Sequence, residues 1–347
     1  MTTNKAAWLK KAGAPLSVSD APMPIAGSNE LVIHNHAVAI NPLDCHMQDS
    51  GVFVQQWPTI FGCDVAGVVH QVGSEAQGRF KRGDRVIGHA VSLVTGRPQD
   101  GAYAQYCIVL ATKAAILPPQ ISFTSGVVVP FALEAAVCAL SLDKPGFAMP
   151  GIQTPALRLP YPSLTAKPMT KTLVVYGGSS SVGSMTTQLA NAAGVRVIAI
   201  ASKKNFELCR SCGAKDVFDY HDGSFVEDVV AAVKGSPESF IGIFDAVSTF
   251  ETYKDDLVIL EKLGGGHLAC VHPPPPNIPK DVEAGMIFAV NDIATPVWQD
   301  YVTGALESGK LQCLPPPSVV GVGLESIDEA LQKCKAGVSA TKLVVEL

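Results

Sequence analysis

The sequence predicts an α/β protein in which a doubly wound parallel sheet is joined to a second, barrel-like β module. Three observations lead there. From Thr172 onward, short apolar runs alternate with helical ones; before about residue 130 the runs are β-branched and separated by glycine turns; and "TLVVYG" passes directly into a glycine-serine turn and a helix.

The elements follow in order. "NELVIHNHAVAI", "DVAGVVHQVG" and "GDRVIGHAV" read as antiparallel strands of a compact first module. The prolines between Lys144 and Lys171 exclude a regular helix and a central strand, so this stretch reads as a surface connection at a domain boundary. "TLVVYG" is then a strand buried on both faces, "SVGSMTTQLANAAG" a helix ended by glycine, "VRVIAIA" a second strand and "NFELCRSCGA" a second helix. "DVFDY", "SFVEDVVAAVKG", "IGIFDAVS", "YKDDLVILEKLGGG" and "HLACVH" continue the alternation. "HPPPPNIP" (His272–Pro279) is a stiff polyproline segment, read as a rigid rim loop or a partner-docking motif. "VWQDYVTGALESGKL" is helical and a proline corner follows it; "SIDEALQKCKAGVSATKLVVEL" is a helix followed by an edge strand that returns to the first module. The expected division is 1–130, 131–299 for the parallel sheet, and 300–347 for the return.

Composition narrows the function. A chain of 347 residues, 47% hydrophobic and 16% charged, can bury a sizeable core, and a net charge of -5 without basic runs excludes nucleic acid and anionic membranes as expected partners. The odd, scattered count of nine cysteines reads as reduced thiols. "MTTNKAAWLKKAG" has no apolar signal core, so a soluble, cytoplasmic protein is expected.

The turn "VVYGGSSSVGS" departs from the usual three-glycine spacing. Gly177 and Gly178 serve the turn, Gly183 serves close helix packing, and Ser179, Ser180, Ser181 and Val182 place hydroxyls and amides at a helix N-terminus, where phosphate is favoured. About two dozen residues on, an NAD site would place a carboxylate at the end of the second strand. This chain has Ser202, Lys203, Lys204 and Asn205 there, which suits the 2′-phosphate of NADPH.

These residues resemble the medium-chain dehydrogenase/reductase superfamily. "INPLD" (Ile40–Asp44), "GCDVAGVVHQVG" (Gly62–Gly73), "RFKRGDRVIG" (Arg79–Gly88), "GAYAQY" (Gly101–Tyr106) and "GVSATKLV" (Gly337–Val344) carry the likeness over nearly the whole chain. The resemblance implies a Rossmann domain and a split, GroES-like β-barrel catalytic domain. Zinc alcohol dehydrogenases of the superfamily have Gly-His-Glu where this chain has Gly62, Cys63 and Asp64, and their ligating cysteine falls near Asn41. Catalytic zinc needs about three protein ligands, and the remaining ones do not line up, so no metal is expected. Cys209-x-x-Cys212 lies within a predicted helix with no second Cys/His pair beside it and reads as two packed or surface thiols.

Within the superfamily the chain is similar to the zinc-free quinone oxidoreductase branch, and in it to fungal enoyl reductases that act in trans with polyketide synthases. Carried over by position, this implies NADPH contacts from Leu43, Asp44, Cys45 and His46, from Ser179, Ser180, Ser181 and Val182, and from Ser202, Lys203, Lys204 and Asn205. It further implies contacts from Tyr220, Leu263, Gly264, Val338 and Ser339. Substrate contacts are implied from Pro130, Phe131, Ala132, Leu133, Glu134, Ala135 and Ala136, and from Gly285, Met286, Ile287, Phe288 and Ala289. His46, expected in a loop facing the nicotinamide, is the candidate proton donor, with solvent as its competitor. The group often has Trp-Lys at Cys45-His46, and Phe53 stands about where mitochondrial enoyl reductases carry a catalytic tyrosine. Three functions follow as expectations: an NADPH-dependent enoyl reductase acting on an acyl thioester, small or bound to an acyl carrier protein; a soluble quinone or alkenal reductase; and a non-catalytic NADPH-binding protein.

Overall fold

The computed structural model describes residues 3–347. Two compact units emerge: residues up to Phe131 with Trp298–Glu307 and Pro316–Leu347, and Ala132–Val297 with Ser308–Pro315. The second unit thus takes residues 308–315 out of the expected 300–347 return. The proline-rich stretch 144–171 lies inside that unit, so the boundary falls before it, at residues 131 and 132.

In chain order the first unit contains β1 (Asn4–Trp8), β2 (Ser17–Ala21), β3 (Glu30–Ala39), α1 (Pro42–Ser50), β4 (Asp64–Val72), β5 (Arg85–His89), α2 (Ser92–Thr95), β6 (Tyr106–Leu110), β7 (Ala114–Ile116) and α3 (Phe123–Gly126). Helix α4 (Pro130–Ser141) leads into the second unit, with β8 (Gly146–Met149), β9 (Ile152–Thr154), β10 (Lys171–Tyr176), α5 (Ser181–Ala192), β11 (Arg196–Ile200), α6 (Phe206–Ser211) and β12 (Asp216–Phe218). It continues through α7 (Phe225–Lys234), β13 (Ser239–Asp245), α8 (Phe250–Leu263), β14 (Gly266–Cys270) and β15 (Val282–Met286). Then come α9 (Thr295–Asp300), α10 (Val302–Glu307), β16 (Pro317–Val322), α11 (Ser326–Lys335) and β17 (Lys342–Glu346).

The second unit is built on a six-stranded parallel sheet in the order β12-β11-β10-β13-β14-β15. Parallel strands need both faces covered, and Leu173, Val174 and Val175 of β10 are fully buried accordingly. Val174, Ile198, Ile243 and Leu268 pack in one cluster with Val229 of α7 and Ile259 and Leu260 of α8. Each such side chain contributes about 2 kcal/mol of burial. Strand β15 was not predicted. It closes the sheet because Gly285 admits the carbonyl of Gln153, which lies only 1.8 Å from where a Cβ would stand, and Thr154 donates to the Met286 carbonyl at 2.8 Å.

The first unit holds a seven-stranded sheet running β16-β17-β3-β4-β5-β7, with β6 paired to β3. Here β17 is an interior strand, correcting the expected edge strand: β16, taken as a proline corner, pairs with it in parallel while β3 pairs on the other side. The apolar stretch Phe123–Ser141 has the length and hydropathy to span a bilayer, but 78% of it is buried in the protein.

Candidate active site

All six strands of the large sheet in the second unit are parallel, so their carboxyl ends share one edge of that sheet. The strand order reverses between β10 and β13, the place where open α/β sheets bind ligands. At that point the chain leaves β10 through Gly177–Ser180. Gly177 adopts φ +72, and a Cβ on it would lie 2.5 Å from Val247 Cγ2; one on Gly178 would lie 2.8 Å from Ala199 Cβ. A Cβ on Gly183 would stand 2.2 Å from the Gly177 oxygen, so α5 packs on the turn as closely as backbone allows.

The turn is held from its own polar groups. The amides of Gly177 and Gly178 donate to the Ile200 carbonyl at 2.9 and 3.1 Å, and Ser180, the N-cap of α5, accepts from the Gly183 amide at 3.1 Å. The first helical amides, those of Ser181 and Val182, have no carbonyl to reach within the helix. Ser181 Oγ is buried with no hydrogen-bond partner. Unspent donors at a helix N-terminus favour an anion.

Asn205 Nδ2 donates to Ser179 Oγ at 3.1 Å and Ser202 Oγ at 3.3 Å, tying the turn to the end of β11. Ser202 is buried, and Lys203 and Lys204 are exposed. Beyond β12, Asp219 accepts from the amides of His221 at 3.0 Å and Lys203 at 3.2 Å; the His221 amide chiefly, then the other contacts, hold its carboxyl below the usual range. Tyr220 is exposed beside it, its ring stacked 6.4 Å from that of Tyr176.

A loop missed in the sequence completes this edge. Asp245, at the end of β13, accepts from the amides of Val247 and Ser248, each at 2.8 Å, and from Thr252 Oγ1 at 2.6 Å. Ser248 Oγ accepts from the Val271 amide at 2.9 Å, which joins this loop to the end of β14. The signal was "DAVS" closing a buried strand, a spacing that repeats the position of Gly177 after β10.

In the first unit, "NPLDCHMQDS" forms helix α1 rather than the expected loop. Asn41 is its N-cap, Pro42 opens it, and Asp44 Oδ2 accepts from the Asn41 amide at 2.7 Å. Helical periodicity divides the expected contacts. Asp44 and Cys45 are buried, while Leu43 and His46, three apart on one face, are half-buried and exposed. Beneath α1, Lys342 Nζ donates to Asn41 Oδ1 at 2.5 Å and pairs with Asp64 Oδ2 at 3.1 Å. Asn41 Nδ2 also donates to Asp64 Oδ2, at 2.8 Å, and the Phe131 amide to Asp64 Oδ1, at 2.6 Å. Burial pushes Asp44 up to about 7, with the Asp64 carboxylate adding to the shift.

Residues 27–119 match the Alcohol dehydrogenase GroES-like domain and residues 181–288 the Zinc-binding dehydrogenase family. The chain is 70% identical over 349 residues to Dehydrogenase orsE of Emericella nidulans, covering 100% of both chains. The chain belongs to the medium-chain dehydrogenase/reductase superfamily. It is also 34% identical over 351 residues to Trans-enoyl reductase himH of Aspergillus japonicus, with 99% of this chain and 97% of that one covered. Among solved structures, an alcohol dehydrogenase superfamily protein from Novosphingobium aromaticivorans shares the fold with a TM-score of 0.75 at 20% identity, over 100% of both chains. A mycobacterial protein complexed with NADPH does so with 0.71 at 23%, over 99% of this chain and 100% of that one.

This medium-chain dehydrogenase/reductase is an NAD(P)-dependent oxidoreductase, and its turn fits the cofactor's pyrophosphate: the glycines leave the backbone open and Ser181 keeps an unspent hydroxyl. Zinc does not fit. The residues aligned with zinc ligands are Asn41 and Cys63, and Asn41 is engaged by Lys342 and Asp64. The Cys63 thiol is buried and pushed well up by that burial, then by Asp44 and Asp64, while an ammonium stands in the same cluster. The Zinc-binding dehydrogenase match at 181–288 covers the parallel-sheet unit and neither of these residues.

Several expected contacts are corrected. The side chains of Asp44 and Cys45 are buried, so only the backbone of this pair is open to a cofactor contact. Leu263 and Gly264 end α8, and Gly264 caps it at φ +85 immediately before β14 begins. They therefore lie at the amino edge of the sheet, a strand length of about 16 Å from the phosphate turn. Of the α4 residues, Phe131 is half-buried, whereas Pro130, Ala132, Leu133, Glu134, Ala135 and Ala136 are buried. Gly285 and Met286 are buried in β15, and Ile287, Phe288 and Ala289 are half-buried at the carboxyl edge. Val338 and Ser339 are exposed between α11 and β17. Phe53 is half-buried and adopts φ +63, a left-handed backbone uncommon for a bulky residue. Cys209 and Cys212 are free and buried, their thiols pushed up to about 11 and 12 by burial, and Cys209 packs under Gly178.

Proposed function

We propose that this oxidoreductase uses NADPH to reduce the carbon–carbon double bond of an α,β-unsaturated acyl thioester, delivered on a carrier protein by a polyketide synthase. The observation that carries the cofactor choice is the end of β11: Ser202 with exposed Lys203 and Lys204, while the neighbouring acid Asp219 is turned to backbone amides. Two ammonium groups pair with a 2′-phosphate far better than with a bare ribose diol, whose O–H groups call for a carboxylate. For the acceptor, support comes from the relative named a trans-enoyl reductase, aligned over 99% of this chain.

NADPH held there would supply a hydride to the β-carbon, leaving an electron pair on the acceptor for a proton at the α-carbon. In this reading the N-terminus of α5 and Ser181 would hold the pyrophosphate, and Ser202, Lys203 and Lys204 would hold the 2′-phosphate. His46, exposed on α1, supplies the α-proton in competition with solvent.

Anaerobic NADPH oxidation in the presence of a chelator tests this, comparing a medium-chain 2-enoyl pantetheine thioester with benzoquinone. Faster turnover of the thioester is expected. Preference for the quinone assigns a soluble quinone reductase instead, and silence with both despite tight NADPH binding assigns a binding protein without turnover. A His46→Ala variant with unchanged turnover and pH profile would give the proton to solvent.

A further inference from the structure

We propose that the ammonium of Lys342 is the built-in cation of the cluster beneath α1, occupying with Asn41 and Asp64 the place where zinc-dependent members of the superfamily gather a metal, and that it positions α1. This stands whatever acceptor the enzyme reduces.

Three elements bring the cluster together. Asn41 caps α1, Asp64 opens β4 and Lys342 opens β17; the sheet joins them because β3 pairs with β17 on one side and with β4 on the other. The Lys342 and Asp64 side chains are 4% and 0% exposed, so each charge needs the other. Both Asp64 oxygens are spent, one on the Phe131 amide and one on Lys342 and Asn41. The Asn41 oxygen is spent on Lys342. A second cation entering this cluster would face an ammonium among donors already committed.

The same bonds act on α1. An N-cap side chain ordinarily accepts from its own helix. Here the Asn41 oxygen also accepts from Lys342, 301 residues away, while Asp44 accepts from the Asn41 amide, so the capping box of α1 is tied to β17. The start of α1, and with it the outward face carrying Leu43 and His46, hangs from Lys342. Lys342 is thus a positioning residue.

The test is cobalt uptake by the full chain, read by metal content and by visible ligand-field bands. Asn41→Cys with Cys63→His supplies two ligands beside Asp64; a third change, Lys342→Met, removes the ammonium. The triple variant is expected to bind about one cobalt in tetrahedral geometry, with the double variant binding at least about tenfold more weakly. Equal uptake by both, a folded triple variant that binds none, or stoichiometric zinc in the wild-type protein would overturn the assignment. If the triple variant does not fold, unfolding midpoints decide. Lys342→Met alone should be markedly destabilised and Lys342→Met/Asp64→Asn largely restored, since the stranded carboxylate is gone; equal losses in both would overturn the pairing.

Discussion

The phosphate turn after β10 and the polar cluster beneath α1 both arrange polar groups around the start of a helix, by opposite means. The turn uses no charge: glycines bring backbone close, Ser180 caps α5, and the first helical amides have no carbonyl to reach within the helix. The α1 cluster uses full charges, buried and mutually spent. A helix start whose donors stay unspent can receive a ligand; one whose groups are consumed internally becomes a fixed support. The first suits cofactor binding, and the second suits the positioning of residues on the opposite helix face.

The difference predicts how each region fails. The largest effect is expected from Gly183→Val, because a Cβ there would lie 2.2 Å from the Gly177 oxygen. Separating α5 from the turn should weaken NADPH binding about 100-fold or more, roughly 3 kcal/mol, as read by fluorescence titration. Near-normal affinity would show that the turn does not need this approach.

The α1 cluster should respond to pH instead. Burial raises the Asp44 carboxyl from its ordinary 3.8 to about 7, so the native state holds a proton that the unfolded chain releases. Its contribution is fully present below about 3.8, shrinks as pH rises, and is lost above about 7. Denaturant titrations should show wild type losing up to about 1 kcal/mol per pH unit relative to Asp44→Asn between pH 5 and 7. Parallel curves would mean that Asp44 stays ionised in the fold.

A smaller effect is expected at the end of β11. Lys203→Ala/Lys204→Ala should raise the NADPH dissociation constant about tenfold and leave that for NADH nearly unchanged, since exposed ammonium groups contribute modestly. Equal losses for both cofactors would place the lysines elsewhere than at the 2′-phosphate.

The two regions also differ in how far the sequence exposed them. The turn was legible because its determinants lie within seven residues: Gly177 and Gly178 precede Ser180 and Gly183 at fixed spacing after an apolar strand. The α1 cluster was not, because Lys342 reaches Asn41 only through the pairing of β17 with β3, a long-range register. Two misreadings had local signals that were available. Asn41, Pro42 and Asp44 form a helix-start pattern, so the expected loop at Cys45-His46 is helical. "LGGG" after α8 is a helix-end pattern, which removes Leu263 and Gly264 from the cofactor edge. The loop Ala246–Ser248 was overlooked because no glycine marks it, and Ser248 adopts φ +59 without one.

The most direct test of the account is the fate of the hydride. Anaerobic incubation of the chelated protein with NADPH carrying deuterium at both C4 positions and a 2-enoyl pantetheine thioester should give a saturated thioester with one deuterium at the β-carbon. A product saturated without label at that carbon, or an unreduced thioester while the same label is consumed by benzoquinone, would contradict it.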